Sequence, residues 1–187
     1  MIRAIITDFD GTLVDTFEAN LKAYQKAFQL VGIDLTEDAY RHCFGFRFDS
    51  LMKAMSISDD TKANLIREAK RQYYPDFFSY LKPNHALISL LDTFHTLGGK
   101  TAIASTARKE HLLNAIDYLG VGNIFDVIYT GVDVTQGKPS PEIYHKTMQA
   151  INVTPAETLI FEDSQVGIEA AKASGANLMI VTPEQFI

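Results

Sequence analysis

Five short apolar runs recur along the chain: RAIIT at 3–7, TAIAS at 101–105, DVIYT at 126–130, TLIF at 158–161 and LMIV at 178–181. Each is continuous rather than alternating, the pattern of a strand buried on both faces of a parallel sheet. Between them, apolar positions repeat at helical spacing. Leu87, Leu90, Leu91 and Phe94 share one face ahead of Gly98 and Gly99, as Leu112, Leu113, Ile116 and Leu119 do ahead of Gly120. SPEIYHKTMQAI (140–151) predicts a helix with Ser140 as its N-cap and Pro141 at its first position. SQVGIEAAKASG (164–175) predicts another, opened by Ser164 and closed by Gly175. TPAE (154–157) has the form of a capping box but runs straight into a strand, so a single turn is expected there. Strands alternating with helices imply a doubly wound α/β fold with right-handed crossovers.

Residues 16–81 break that rhythm. No strand pattern occurs, and helix signals dominate. Phe17, Leu21, Tyr24 and Phe28 follow one helical face; Thr36 can cap a second helix ended by Gly45. A third is expected from Phe48 to Met55, and Ser58 can open a long one reaching Tyr74 before Pro75. One helix suffices for a crossover between parallel strands, so the surplus reads as an inserted helical lid. The expected organisation is an α/β core of residues 1–15 and 82–187 carrying an all-helical cap of residues 16–81.

Composition narrows the function classes. The chain has 187 residues, 47% hydrophobic and 21% charged, an ordinary globular balance. Its net charge is −6, with no block of Lys or Arg, which argues against nucleic acid and anionic membranes as partners. A small anionic substrate in a locally positive pocket remains compatible. Cys43 is the only cysteine, so no internal disulfide forms, and packing is its expected role. The opening run MIRAII stops short of signal-peptide length, and no run is long enough to span a bilayer. A cytoplasmic monomer is expected. NVT at 152–154 fits a glycosylation acceptor, which has no meaning without secretion. The histidines at 42, 85, 95, 111 and 145 show no ligand spacing and are expected to be ordinary helix or surface residues.

The chemistry shows where the strands end. IIT is followed by Asp8 and Asp10, AIA by Ser105 and Thr106, LIF by Glu162 and Asp163, and the loop after VIYT carries Lys138. In open α/β sheets, ligands bind beyond the carboxyl ends of the strands, so these groups converge on one rim. Carboxylates in number suit Mg²⁺, which takes oxygen ligands and leaves positions for water and phosphate. One carboxylate can then attack phosphorus, and a second, two residues on, can move protons. A lysine and a hydroxyl can stabilise the transferring oxygens. Gly11 lets the chain turn sharply, with backbone N–H groups approaching the phosphate.

DFDGTLVD at 8–15, IAST at 103–106, GKPSPEIY at 137–144 and FEDSQVGIEAA at 161–171 resemble, in order, the four motifs of the haloacid dehalogenase-like hydrolases. The resemblance covers essentially the whole chain. It is greatest to the subgroup of beta-phosphoglucomutase and phosphoglycolate phosphatase, whose helical cap follows the first motif. It implies a Rossmann-like parallel sheet with helices on both faces. By the same resemblance, Asp8 is the nucleophile, Asp10 the general acid/base, Ser105 the phosphate-binding hydroxyl and Lys138 the bridge between nucleophile and phosphate. Asp163 is implied as a magnesium ligand beside Asp8 and the Asp10 backbone carbonyl, with Glu162 as a further ligand. Asp10 sets the chain apart from the dehalogenases proper and the phosphonatases, which lack an aspartate there.

Thr12, Thr106 and Arg108 are further candidates for touching phosphate, each equally able to act as a local cap or exposed side chain. The aromatic clusters FGFRF (44–48) and YYPDFFSY (73–80) are expected to form cap core. Arg47, just after Gly45, is the candidate reader of the leaving group. The mutases carry a histidine where this chain has Asn20, and their cap lysine corresponds to Gln72 or a neighbour. These departures favour a phosphatase of small phosphorylated metabolites over a phosphosugar mutase. A binding protein on the same fold is the rival from outside enzymes.

Overall fold

The computed structural model describes residues 1–186. The chain divides into two compact units, Thr16–Leu81 and the combination of Met1–Asp15 with Lys82–Ile187.

The first of these is all helical: α1 (Phe17–Gln29), α2 (Glu37–Arg41), α3 (Phe48–Ala54) and α4 (Asp60–Tyr73), then a 3-10 segment, Tyr74–Tyr80. Thr36 caps α2 as expected, its side chain accepting from the Ala39 N–H at 3.2 Å. The cap of α4 is Asp59 rather than Ser58. Its carboxylate accepts from the N–H groups of Thr61 and Lys62 at 2.8 and 3.2 Å, adding charge complementarity at the helix N-terminus that serine lacks. The core gathers Leu21, Phe28, Leu35, Tyr40, Leu51, Met52 and Ile66. Phe44, Phe48 and Tyr73 pack against it, and Tyr74 and Phe78 are buried. Phe46 is exposed instead of joining the cap core. Lys26 and Lys70 lie 4.0 and 3.8 Å over the rings of Tyr73 and Tyr74, so their stems cover apolar surface while their charges meet π-faces.

The other unit is built on β1 (Ala4–Thr7), β2 (Val14–Asp15), β3 (Lys82–Pro83), β4 (Lys100–Ala104), β5 (Val127–Tyr129), β6 (Thr158–Glu162) and β7 (Asn177–Ile180). Its helices are α5 (His85–Thr96), α6 (Lys109–Leu119), α7 (Glu142–Ala150) and α8 (Gln165–Ala173). Five strands form a parallel sheet in the order β5-β4-β1-β6-β7. Ala4, Ile6, Ala102, Ala104 and Ile160 pack with Ile143, Tyr144, Met148, Ala170 and Ala171 of α7 and α8. Small alanines on the strands let those helices come close. Ile5 and Ile103, of opposite parity, are also buried, and α5 packs on β4.

Local signals mostly match their elements. Ser164 caps α8, accepting from the Gly167 N–H at 3.1 Å, and Gly120 takes a left-handed φ of +68° after α6. The 154–157 turn is a reciprocal capping box between Thr154 and Glu157. Ser140, however, is not the N-cap of α7: Pro141 stands there, and Ser140 Oγ accepts from the Glu142 N–H at 3.3 Å. Proline cannot donate, so the hydroxyl reaches the first N–H beyond it. The antiparallel β2–β3 pair, too short for a periodic pattern, joins Val14 to Pro83 and Asp15 to Lys82.

Candidate active site

Strand register places the chemistry. Thr7 pairs with Ile103 on one side and Phe161 on the other, so Asp8, Ser105 and Glu162 all emerge at the carboxyl edge of adjacent strands. Asp8 stays tied to the sheet through its N–H, which donates to the Phe161 carbonyl at 3.0 Å, and it is buried. Lys138 reaches in from the loop ahead of α7. Its Nζ donates to Asp8 Oδ1 at 2.6 Å and to Glu162 Oε1 at 2.5 Å, and its side chain is only 3% exposed. Glu142 pins that loop, accepting from the N–H groups of Thr135 and Gln136 at 2.8 and 2.7 Å.

Asp163 is positioned from the first motif. Thr12 Oγ1 donates to Asp163 Oδ1 at 2.7 Å, while Asn84 holds Thr12 and Leu13 through bonds to their carbonyls. Gly11, at φ +87°, makes the turn, and a Cβ there would collide with the Asp163 carboxylate. Asp8, Glu162 and Asp163 each offer an oxygen within 4.8 Å of the others. Burial shows in the protonation of Asp8 and Asp163. Burial pushes Asp8 well above the ordinary carboxylate range, against the pull of Lys138 and with the push of Glu162 and Asp163. Burial lifts Asp163 to about 6, against the Thr12 hydrogen bond and with help from the Glu162 charge. Burial opposes the Lys138 ammonium, yet Asp8 and Glu162 outweigh it and hold the amine well above its usual pKa. A buried oxygen cluster with carboxylates that favour protonation fits a hard divalent cation.

The remaining candidates divide by unit. Ser105 is buried at the end of β4, its Oγ accepting from the Ala107 N–H at 3.1 Å. Thr106 and Arg108 are exposed on the loop leading to α6, with Arg108 at the helix's N-cap position. Asp10 is half-buried and bridges to Val14 through its backbone. Asn20 and Arg47 belong to the helical unit. Asn20 is buried, its amide donating to the Thr16 carbonyl at 3.1 Å, and Arg47 is exposed ahead of α3. Tyr144, which sequence reasoning passed over inside the third motif, donates from its hydroxyl to Glu162 Oε1 at 2.9 Å. Gly167 was missed as well: a Cβ there would strike the Glu162 carboxylate.

The Asp163 proton has a measurable consequence. The folded state binds it more tightly than an unfolded chain, where the ordinary value is 3.8. It therefore stabilises the metal-free protein below about pH 4, and that contribution is lost as the pH rises through about 6. A cation held by this cluster would replace the departing proton, so the gain in melting temperature from Mg²⁺ is expected to grow between about pH 5 and about pH 7. Thermal melts with MgCl₂ and with EDTA across that range check it. A gain independent of pH would remove Asp163 from the cation-responsive group.

Residues 5–181 match the family described as haloacid dehalogenase-like hydrolase. The chain belongs to this family. A phosphorylated carbohydrates phosphatase of Thermotoga maritima is 32% identical over 180 residues, spanning 93% of this chain and 82% of that protein. A phosphoglycolate phosphatase of Aquifex aeolicus is 26% identical over 175 residues, spanning 93% of this chain and 82% of its own length. Among solved structures, CbbY from Rhodobacter sphaeroides in complex with phosphate gives a TM-score of 0.82 at 26% identity, covering 96% of this chain and 86% of that one. The haloacid dehalogenase-like hydrolase resemblance and the Rossmann-like parallel sheet expected from the motifs are both upheld. No helix among the described residues is long and apolar enough to cross a membrane.

Proposed function

We propose that this hydrolase is a Mg²⁺-dependent phosphatase of a small phosphomonoester, such as a sugar phosphate or phosphoglycolate, and that it works through a phosphoryl group carried on Asp8. The carrying observation is a buried aspartate held by a buried lysine at 2.6 Å within a cluster of three carboxylates. The cation falls to the carboxylates of Asp8 and Asp163 and the backbone carbonyl of Asp10; Glu162, expected as a further ligand, has both oxygens bonded to the protein's own donors and adds its charge to the group instead. When bound, the metal neutralises phosphate and carboxylate oxygens so that they can approach one another.

Lys138 fixes Asp8 by one oxygen, orienting the carboxylate for attack. An oxygen of Asp8 bonds to phosphorus as the ester P–O bond breaks, and Asp10 gives the leaving oxygen its proton. A water then attacks the same phosphorus, Asp10 accepts the water's proton, and inorganic phosphate departs with Asp8 restored. Lys138 and the Ser105 hydroxyl steady the equatorial oxygens, with Thr106 and Arg108 around the phosphate. Gly11 and Thr12, expected to approach it as well, are engaged within the protein: the Gly11 N–H donates to the Val14 carbonyl at 2.8 Å and the Thr12 hydroxyl to Asp163. We assign the choice of leaving group to the helical unit, with Asn20 and Arg47 as its candidate residues. We place the enzyme in the cytoplasm, a reading supported by the lone, buried Cys43, and take it to act as a monomer.

Phosphate release from a panel of small phosphoesters, with Mg²⁺ or with chelator, tests the reading. Metal-dependent release is expected. An isomerised phosphosugar without free phosphate would favour a mutase, and neither product would leave a binding protein.

A further inference from the structure

We propose that Tyr144 is a positioning residue: its buried hydroxyl fixes the Glu162 carboxylate, and through it the Lys138 ammonium beside Asp8. The kinetic part of this proposal rests on the phosphatase reading; the geometric part stands without it.

Glu162 is fully buried, and a carboxylate offers about four lone-pair sites. Oε1 accepts from Lys138 Nζ at 2.5 Å and from the Tyr144 hydroxyl at 2.9 Å. Oε2 accepts from the Asp163 N–H at 2.9 Å, and from the Ser164 N–H and Oγ, both at 3.1 Å. The protein's own donors thus fill this carboxylate. One oxygen is anchored at the start of α8, and the other faces two groups from the third motif. Without the Tyr144 hydroxyl, Lys138 would be the sole donor to Oε1, and the two side chains could shift together.

The phenol also touches the lysine directly, its ring centroid lying 5.1 Å from Nζ. Packing does not account for the hydroxyl. Tyr144 sits among Ile6, Ala104 and Ile160, where a phenylalanine ring would fill the same space. Burial keeps the phenol far above its ordinary pKa, so it remains a neutral donor wherever the enzyme works. A rigid donor behind the carboxylate matters for catalysis, because a charge held in place needs no reorganisation as the transition state forms.

Tyr144→Phe tests this with the ring retained. In an otherwise unchanged protein we expect kcat to fall about tenfold and KM to stay within about twofold, the mark of an interaction strengthened in the transition state. In a Glu162→Gln background the same substitution is expected to cost less than about twofold, because the path runs through Glu162. An equal loss in both backgrounds, or an unchanged kcat in the first, would overturn the proposal. A second measurement needs no turnover. The Lys138 ammonium, assigned by its absence in Lys138→Met, should give a slowly exchanging ¹⁵N–¹H signal that broadens in Tyr144→Phe. An unaltered signal would overturn the proposal. A protein that releases no phosphate but shows this broadening would sink the phosphatase reading and keep Tyr144 in its positioning role.

Discussion

Asp8→Asn is expected to lower turnover by about 10⁴-fold or more while the protein stays folded. Asparagine keeps the shape of the side chain and an oxygen that can still accept from Lys138, now 2.6 Å from Asp8 Oδ1. What disappears is the anionic oxygen that the proposed mechanism requires for attack. The folded protein already favours a neutral group here, because burial raises Asp8 well above the ordinary carboxylate range and the Glu162 and Asp163 charges push the same way. Asparagine mimics that neutral form at every pH. The metal-free variant should therefore melt at or above the wild-type temperature near pH 7, with the difference fading toward acid as wild-type Asp8 takes up its proton. Phosphate release and parallel thermal melts decide the matter. Undiminished release would show that phosphorus is attacked by something else, and a collapsed melting temperature would make Asp8 a structural residue.

Much of this site could be read from residue order because its parts are local. The strands announce themselves as apolar runs, and Asp8, Ser105, Glu162 and Asp163 follow within two positions. β7 reads as a doubly buried strand too, yet it lies at the sheet edge and is largely exposed, because only one neighbour pairs with it. Ser164 and Thr36 cap their helices as expected, since a cap bond spans only three residues. Other features depend on partners far away in the chain. The order β5-β4-β1-β6-β7 follows from packing rather than from any one strand. The β2–β3 pair joins residues some seventy positions apart with two residues on each side. Asp59 displaced Ser58 as a cap because both suit the role, and a carboxylate gains more from the helix dipole. Tyr144 was hidden for a related reason. On a helix it reads as one more core aromatic, and only the fold brings its hydroxyl to Glu162, eighteen residues on.

Lys138→Met carries the second large effect, on stability as well as rate. The lysine side chain is 3% exposed and is the cation bonded to both Asp8 and Glu162. Removing it strands buried carboxylates, a change that typically costs about 3–5 kcal/mol. Turnover is expected to drop by about 10²–10³-fold, the usual loss when one donor to a developing charge is deleted. The two effects separate in further variants. Mg²⁺ should restore part of the melting temperature of Lys138→Met, since a cation again faces the carboxylates, but little of the rate. Adding Glu162→Gln removes one stranded charge, so the double variant should melt above Lys138→Met and still hydrolyse no faster. Lys138→Arg completes the comparison: it keeps the charge, yet a planar five-donor fork cannot take the place of an ammonium wedged between two carboxylates. Its melting temperature should lie between those of wild type and Lys138→Met, with kcat still low. Should Lys138→Arg turn over like wild type, charge alone would suffice, and the placement of Nζ at 2.6 Å from Asp8 would lose its catalytic meaning.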